Sequence, residues 1–219
     1  MDNIHWVGHA TFFFNDKNNN AIYFVDPFQL ENLSLEKADI IFITHSHHDH
    51  LSRPDINLVL KDNTMVVGPP DVLDKIDIDA KRKVFVSPGN DYEVKGFLFS
   101  TVAAYNNHPQ RLSFHPKSNK WVGYIFNLNN QKIYHGGDTD FVNEMKALKD
   151  LNLDVALLPI GGTYTMDVKE AAGAANEICA KITIPMHYKN ILGDDYKSAE
   201  EEFKRLVTNS RVIILEEVS

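Results

Sequence analysis

The stretch that decides the fold is Asp39-Ile40-Ile41-Phe42-Ile43-Thr44-His45-Ser46-His47-His48-Asp49-His50. Residues 39–44 form a continuous apolar run, as expected of a strand buried on both faces. His45, His47, Asp49 and His50 then follow at the end of that rigid element. Neutral imidazole and carboxylate are the ligands of zinc sites that stay open for catalysis, where thiolates would close them. In an extended segment the side chains of i and i+2 share a face, so His45 and His47 can grip one ion together. A turn after His48 then lets Asp49 and His50 reach a second ion. A polar loop with incidental histidines explains the run less well, because it lies between a strand and a helix cap and not in a tail.

Outward from this stretch, Ser52 is placed to cap a short helix through Leu60, with Pro54 tolerated in its first turn. Residues 64–67 and 84–86 read as strands, with a short helix over 71–76 between them. Upstream, residues 4–14 and 21–25 read as strands around the polar turn 15–20. Downstream, residues 121–128 and 132–134 form a hairpin about Asn129-Asn130. The last third alternates: helix 141–149, strand 155–159, an Ala-rich helix 168–180, strand 182–185, a charged helix 198–207 and strand 211–215. No repeat, low-complexity tract or linker interrupts residues 1–219, so the expectation is one α/β domain with two sheets and helices outside them.

Bulk composition narrows the function classes. Acidic residues outnumber basic ones 30 to 22, for a formal charge of −8. That disfavours a broad nucleic-acid-binding surface, which needs clustered Lys and Arg. Cys179 is the single cysteine, so no intrachain disulfide calls for an oxidising compartment. It reads as a small buried residue with no partner for nucleophilic catalysis. Residues 1–6 lack the basic start and apolar run of a signal peptide, and no stretch approaches the ~18–20 apolar residues of a membrane span. A cytoplasmic protein acting on a small molecule is the default expectation.

The residues 45–50 resemble the H-x-H-x-D-H signature of the metallo-β-lactamase superfamily. Gly8-His9-Ala10-Thr11, Asp26-Pro27-Phe28, His135-Gly136-Gly137-Asp138-Thr139 and Pro185-Met186-His187-Tyr188 follow that superfamily in order along the chain. They are similar to its branch of small metal-dependent hydrolases related to ascorbate-6-phosphate lactonase, and more distantly to the N-acylethanolamine-releasing phospholipase D. The resemblance implies a four-layer αββα sandwich holding two divalent ions, Zn²⁺ first, with Mn²⁺ or Fe²⁺ as alternatives. It implies His45, His47, Asp49, His50, Asp138 and His187 as ligands, with Asp138 bridging the ions. A metal-activated hydroxide would then attack an ester, lactone or phosphodiester bond, and Asp49 would orient the nucleophile and take part in proton transfer.

One ligand departs from the pattern. Lactonase-like sequences place a third histidine of the first site in a turn such as Phe-His-Gly, where this chain reads Ala103-Ala104-Tyr105-Asn106. His115 is the first candidate to replace it, because Phe114 and Pro116 would fix its backbone. Asn106 is the next, and His108 the last.

The remaining histidines have plainer roles. His48 occupies the variable position and points away; His5 alternates with apolar residues and is structural. His9 and His135 suit supporting positions, and Asp26 is placed to accept the free N–H of a ligand imidazole. Asp138 or Thr139 alone would also read as the cap of the helix starting near Phe141. Gly161-Gly162-Thr163-Tyr164-Thr165-Met166 is either a substrate-admitting or a plain loop, and lacks the G-K-[ST] of a P-loop. Phe12-Phe13-Phe14 is packing. Two other functions compete: a di-iron redox enzyme, which wants a carboxylate where His47 stands, and a non-catalytic metal-binding protein. Substrate and oligomeric state stay open.

Overall fold

The computed structural model describes residues 3–218. They form two compact units, residues 3–87 with 215–218 and residues 88–214, each built on one mixed sheet.

The first unit carries a six-stranded sheet in sequence order: β1 (Ile4–Gly8), β2 (Thr11–Asp16), β3 (Ala21–Val25), β4 (Ile40–Phe42), β5 (Met65–Gly68) and β6 (Lys83–Phe85). β1 to β3 run antiparallel and β3 to β6 parallel. α1 (Arg53–Val59) spans the step from β4 to β5 and α2 (Pro70–Leu73) the step from β5 to β6, while a loop joins β3 to β4. Ile56, Val59, Val72 and Leu73 of these helices share one core with Phe24, Ile41, Ile43 and Val66. Each such side chain contributes about 1.5–3 kcal/mol on burial, which fixes the strand end from which the histidine cluster leaves.

Two local expectations need correction. Residues 4–14 are two strands, because the chain folds back at Gly8-His9-Ala10 with His9 at φ 50°. Ser52 occupies the N-cap position of α1 without capping its backbone. Its hydroxyl donates instead to the Asp55 carboxylate, whose other oxygen accepts the Leu30 N–H at 2.7 Å. Residues 215–218 return to this unit, where Glu217 bridges Trp6 and the Val218 N–H donates to the Trp6 carbonyl at 2.8 Å.

The second unit carries a seven-stranded sheet ordered β13 (Arg211–Val212), β12 (Ile182–Met186), β11 (Val155–Pro159), β10 (Gln131–His135), β9 (Val122–Leu128), β8 (Phe97–Ala103) and β7 (Asp91–Val94). β7 to β10 form an antiparallel meander, and β10 to β13 are parallel. Asn129 and Asn130 both have positive φ, the two-residue turn that matches strand twist. The β7–β8 hairpin, turning on Lys95-Gly96, is not among the elements expected above. Its helices are α3 (Val168–Ile178), α4 (Lys189–Leu192) and α5 (Tyr196–Leu206).

Asp167 and Glu170 close a reciprocal capping box at the start of α3, satisfying backbone donors that the helix leaves open. Residues 143–151 form a 3-10 helix in place of the α-helix expected over 141–149. Cys179, expected to be buried, is exposed, because it takes the left-handed closing position of α3. Among the described residues no helix is long and apolar enough to cross a membrane.

Candidate metal centre

In the first unit the cluster hangs from one buried carboxylate. Asp26 is fully buried and held at φ 47°. Its Oδ1 accepts the Thr44 N–H at 2.8 Å, and its Oδ2 accepts the Thr44 hydroxyl at 2.7 Å and His50 Nδ1–H at 2.8 Å. The Thr44 hydroxyl has then donated its one proton, so at 2.9 Å it accepts from His45 Nδ1. These bonds assign the tautomers: His45 and His50 are protonated on Nδ1 and present Nε2 as a lone pair. The two rings lie 4.0 Å apart, and His45 Nε2 is 3.1 Å from His47 Nδ1.

Asp49 sits beside them, its side chain 22% exposed. Its Oδ2 accepts His9 Nε2–H at 3.0 Å and lies 3.8 Å from His50 Nε2. His9, Asp49 and His50 thus offer ligand atoms within 4.8 Å of one another. A lone pair facing a carboxylate oxygen is repulsive by itself and favourable once a cation lies between them. His48 projects outward with its side chain 91% exposed. His5 stacks on Phe13 at 4.4 Å and bonds Asn15. Phe12 and Phe14 are buried and Phe13 stacks on Phe24.

The second unit brings His115, Asp138 and His187 together from three separate segments. Asp138 follows β10 through Gly136-Gly137. A Cβ at Gly123, on the neighbouring β9, would meet the His135 carbonyl at 2.7 Å, so glycine there lets the hairpin close. Asp138 Oδ2 lies 3.2 Å from both His115 Nε2 and His187 Nε2. His187 leaves β12 at φ 56°. A Cβ at Gly161 would stand 2.4 Å from its carbonyl, so that position accepts no side chain without a shift of the backbone.

Asn106 lies behind the His115 ring. Its amide N–H donates to the Tyr164 carbonyl at 3.1 Å, which leaves Oδ1 as the acceptor for His115 Nδ1–H at 2.7 Å and the His115 N–H at 3.1 Å. His115 therefore also presents a bare Nε2, and it presents it to a carboxylate. Asn106 supports the imidazole and His115 is the residue aimed at Asp138. His108 is turned into its own loop, where its Nδ1 accepts the Gln110 N–H. The helix-capping alternative does not occur: Val142 holds the N-cap of the 3-10 helix, and the Thr139 hydroxyl bonds the Tyr105 backbone. His135 is buried and accepts the Gly137 N–H at 3.2 Å. The 161–166 loop supplies the carbonyl that orients Asn106.

One supporting network went unread in the sequence. Arg111, 7% exposed, forms an ion pair with Asp140, its Nε 2.9 Å from Oδ1, and donates from one terminal nitrogen to both Glu170 oxygens at 2.8 Å. Asp140 also accepts the N–H groups of Asn107 and His108. The loop carrying Asn106 and His115 is thereby tied to Asp140 and to α3. Burial would lower the Arg111 pKa, yet Glu170 and Asp140 raise it above the usual value. Burial pushes Glu170 up, but the Arg111 hydrogen bonds outweigh it and hold the carboxyl below its usual value. An arginine in a polar loop carries no local sign of this role.

The donor set therefore fits divalent metal on chemical grounds. Imidazole nitrogens and carboxylate oxygens are present without thiolate, and three of the histidines have their second nitrogen committed to an acceptor, as ligand imidazoles do.

Residues 3–187 match the family described as the beta-lactamase superfamily domain. The chain is 31% identical over 223 residues to a UPF0173 metal-dependent hydrolase of Methanosarcina mazei, covering 97% of this chain and 94% of that protein. A crystal structure from Parabacteroides distasonis is similar with a TM-score of 0.81 and 29% identity, over 97% of this chain and 93% of that one. A diiron beta-hydroxylase of Streptomyces venezuelae is similar in fold, with a TM-score of 0.72 at 12% identity, over 98% of this chain and 53% of that one.

Proposed function

We propose that this chain, which belongs to the beta-lactamase superfamily and within it to the metal-dependent hydrolases, is a cytoplasmic two-metal hydrolase of an ester, lactone or phosphodiester bond in a small metabolite. The observation that carries the reading is the shared hydrogen-bond geometry of His45, His50 and His115. Each has Nδ1–H committed to a fixed acceptor and Nε2 left as a ligand. By the family resemblance, His45, His47, Asp49, His50, His115, Asp138 and His187 are the residues that would hold the ions. Zinc is the first choice for such donors. Bound there, two divalent ions supply a water of pKa lowered towards ~7 and a Lewis acid for the accepting oxygen.

The chain's own part is to position and to move a proton. His9 holds Asp49 by Oδ2, so Oδ1 is turned to take the proton of the attacking water. No side-chain nucleophile is required: the thiol of Cys179 is exposed and bonded to the Asn176 carbonyl. A diiron redox centre would want a carboxylate at the position of His47, so hydrolysis is the better reading.

Metal analysis of protein purified without chelator, joined to a panel of esters, lactones and phosphodiesters, tests this. Close to two equivalents per chain are expected, and a stoichiometry near zero after reconstitution would overturn the reading. Asp49→Asn should lower turnover on any active panel substrate by at least ~100-fold while leaving apo-protein Tm unchanged. His48→Ala should change turnover little. Near wild-type hydrolysis by metal-saturated Asp49→Asn would exclude Asp49 as the base.

A further inference from the structure

Between β8, β9 and the 3-10 helix, the second unit holds a cavity of about 510 Å³ that no candidate ligand lines. Its volume falls within the ~300–1,000 Å³ of small-molecule pockets. Val102 and Ile125 form the sheet side, Leu148 and Leu151 the helix side, and the Trp121 indole one end. Such a lining suits an apolar body.

The polar groups of the rim leave one charge over. Lys117 Nζ is satisfied by Glu144 at 2.8 Å and the Tyr105 hydroxyl at 3.0 Å, so that pair is neutral. Lys120 stands exposed at φ 56° and has no ionic partner among the described residues. We propose that this cavity binds a small amphipathic anion, with an aromatic or aliphatic body against Trp121 and its acidic group on Lys120.

The same walls back the metal-ligand loop. The Trp121 ring meets the His115 ring edge-on at 5.8 Å, and the Trp121 carbonyl accepts the Ala104 N–H. Tyr105 lines the cavity, is bonded through its backbone to Thr139, and directly precedes Asn106. A ligand pressing on Trp121 and Tyr105 thus moves the pair that aims His115, and with it the affinity for metal. This coupling rests on the assignment of His115 as a ligand; the binding itself does not.

The test uses 8-anilinonaphthalene-1-sulfonate as probe, titrated into full-length protein stripped with EDTA and, separately, loaded with zinc. Probe fluorescence should report one saturable site. Ala147→Trp, which fills the cavity from an exposed lining position, should weaken binding about tenfold or more, and Lys120→Glu by several-fold. N-phenyl-1-naphthylamine, which lacks the sulfonate, should bind more weakly. Saturating sulfonate probe should shift the zinc dissociation constant at least about threefold in wild type and not in Ala147→Trp. Absence of saturable binding, or binding indifferent to Ala147→Trp, overturns the site. Equal binding of the uncharged probe overturns the anion, and an unmoved zinc constant overturns the coupling. If the protein takes up no zinc, the proposed function fails while the EDTA-stripped titration still reads the cavity.

Discussion

The histidine cluster after β4 and the trio His115, Asp138 and His187 hold imidazoles in place by opposite means. In the first, the candidate ligands are neighbours in sequence, and Asp26 orients His50 directly and His45 through Thr44. In the second, the candidate ligands come from three distant segments. Their orientation is spread over an amide, Asn106, and an ion network, Arg111 with Asp140 and Glu170. Contiguous candidate ligands allow one support to serve two of them, His45 and His50, and concentrate the effect of losing it. Distant ligands require several supports, each of smaller individual effect.

The largest effect expected from this contrast is at Asp26. Asp26→Ala strands three donors around a fully buried site, at about 1–3 kcal/mol for each one left unsatisfied. Thermal denaturation of the EDTA-treated protein should show a loss of roughly 3 kcal/mol or more, a Tm drop on the order of 10 °C. Asp26→Asn, which keeps one acceptor oxygen, should fall between. A loss below about 1 kcal/mol would break the comparison by showing that the cluster holds itself.

Asn106→Ala should act on metal and much less on stability. Removing the acceptor behind a ligand imidazole typically lowers metal affinity ~10- to 100-fold, readable by competition with a chromophoric chelator. His115→Ala should lower it at least as much, and His108→Ala little. If Asn106→Ala is damaging while His115→Ala is silent, the amide oxygen itself is the ligand.

The smallest effect is expected at Glu170. Its native carboxyl is held below the ordinary value of 4.5, so the unfolded chain binds the proton more tightly than the folded one. Its contribution is fully present above about pH 4.5 and is lost as pH falls through the lower native value. Glu170→Gln should therefore flatten the acid limb of the stability profile. At pH 7 it should destabilise by only about 1 kcal/mol, discounted for the part of the side chain open to water. An unchanged acid limb would show that Asp140 alone anchors Arg111.

What could be read from residue order follows the same division. The cluster at 45–50 is legible because its chemistry and spacing are local, and β4 because the run at 40–42 is apolar throughout. The role of His115 is legible only through its neighbours, and Asn106 only as one of three candidates. Which of them faces Asp138 depends on a carbonyl at Tyr164, far along the chain. The break between β1 and β2 is marked only by Gly8, at φ 134°, and by His9, within a run that is otherwise apolar and β-forming. The β7–β8 hairpin is hard to read because Lys95-Gly96 is a weaker turn signal than Asn129-Asn130. The apolar helix around Cys179 points to burial, whereas its left-handed backbone makes it the residue that ends the helix.

The return of residues 215–218 to Trp6 has a consequence for how the protein is made. β1 is the edge of the first sheet, and exposed edge strands are templates for pairing with other chains. Synthesis is vectorial and units fold as they emerge. The first sheet is therefore complete in its own strands while the ribosome is still translating the second unit, and its edge stays uncovered until translation reaches Glu217 and Val218. During that interval a chaperone, or another nascent chain, meets an edge that residues 217 and 218 later cover.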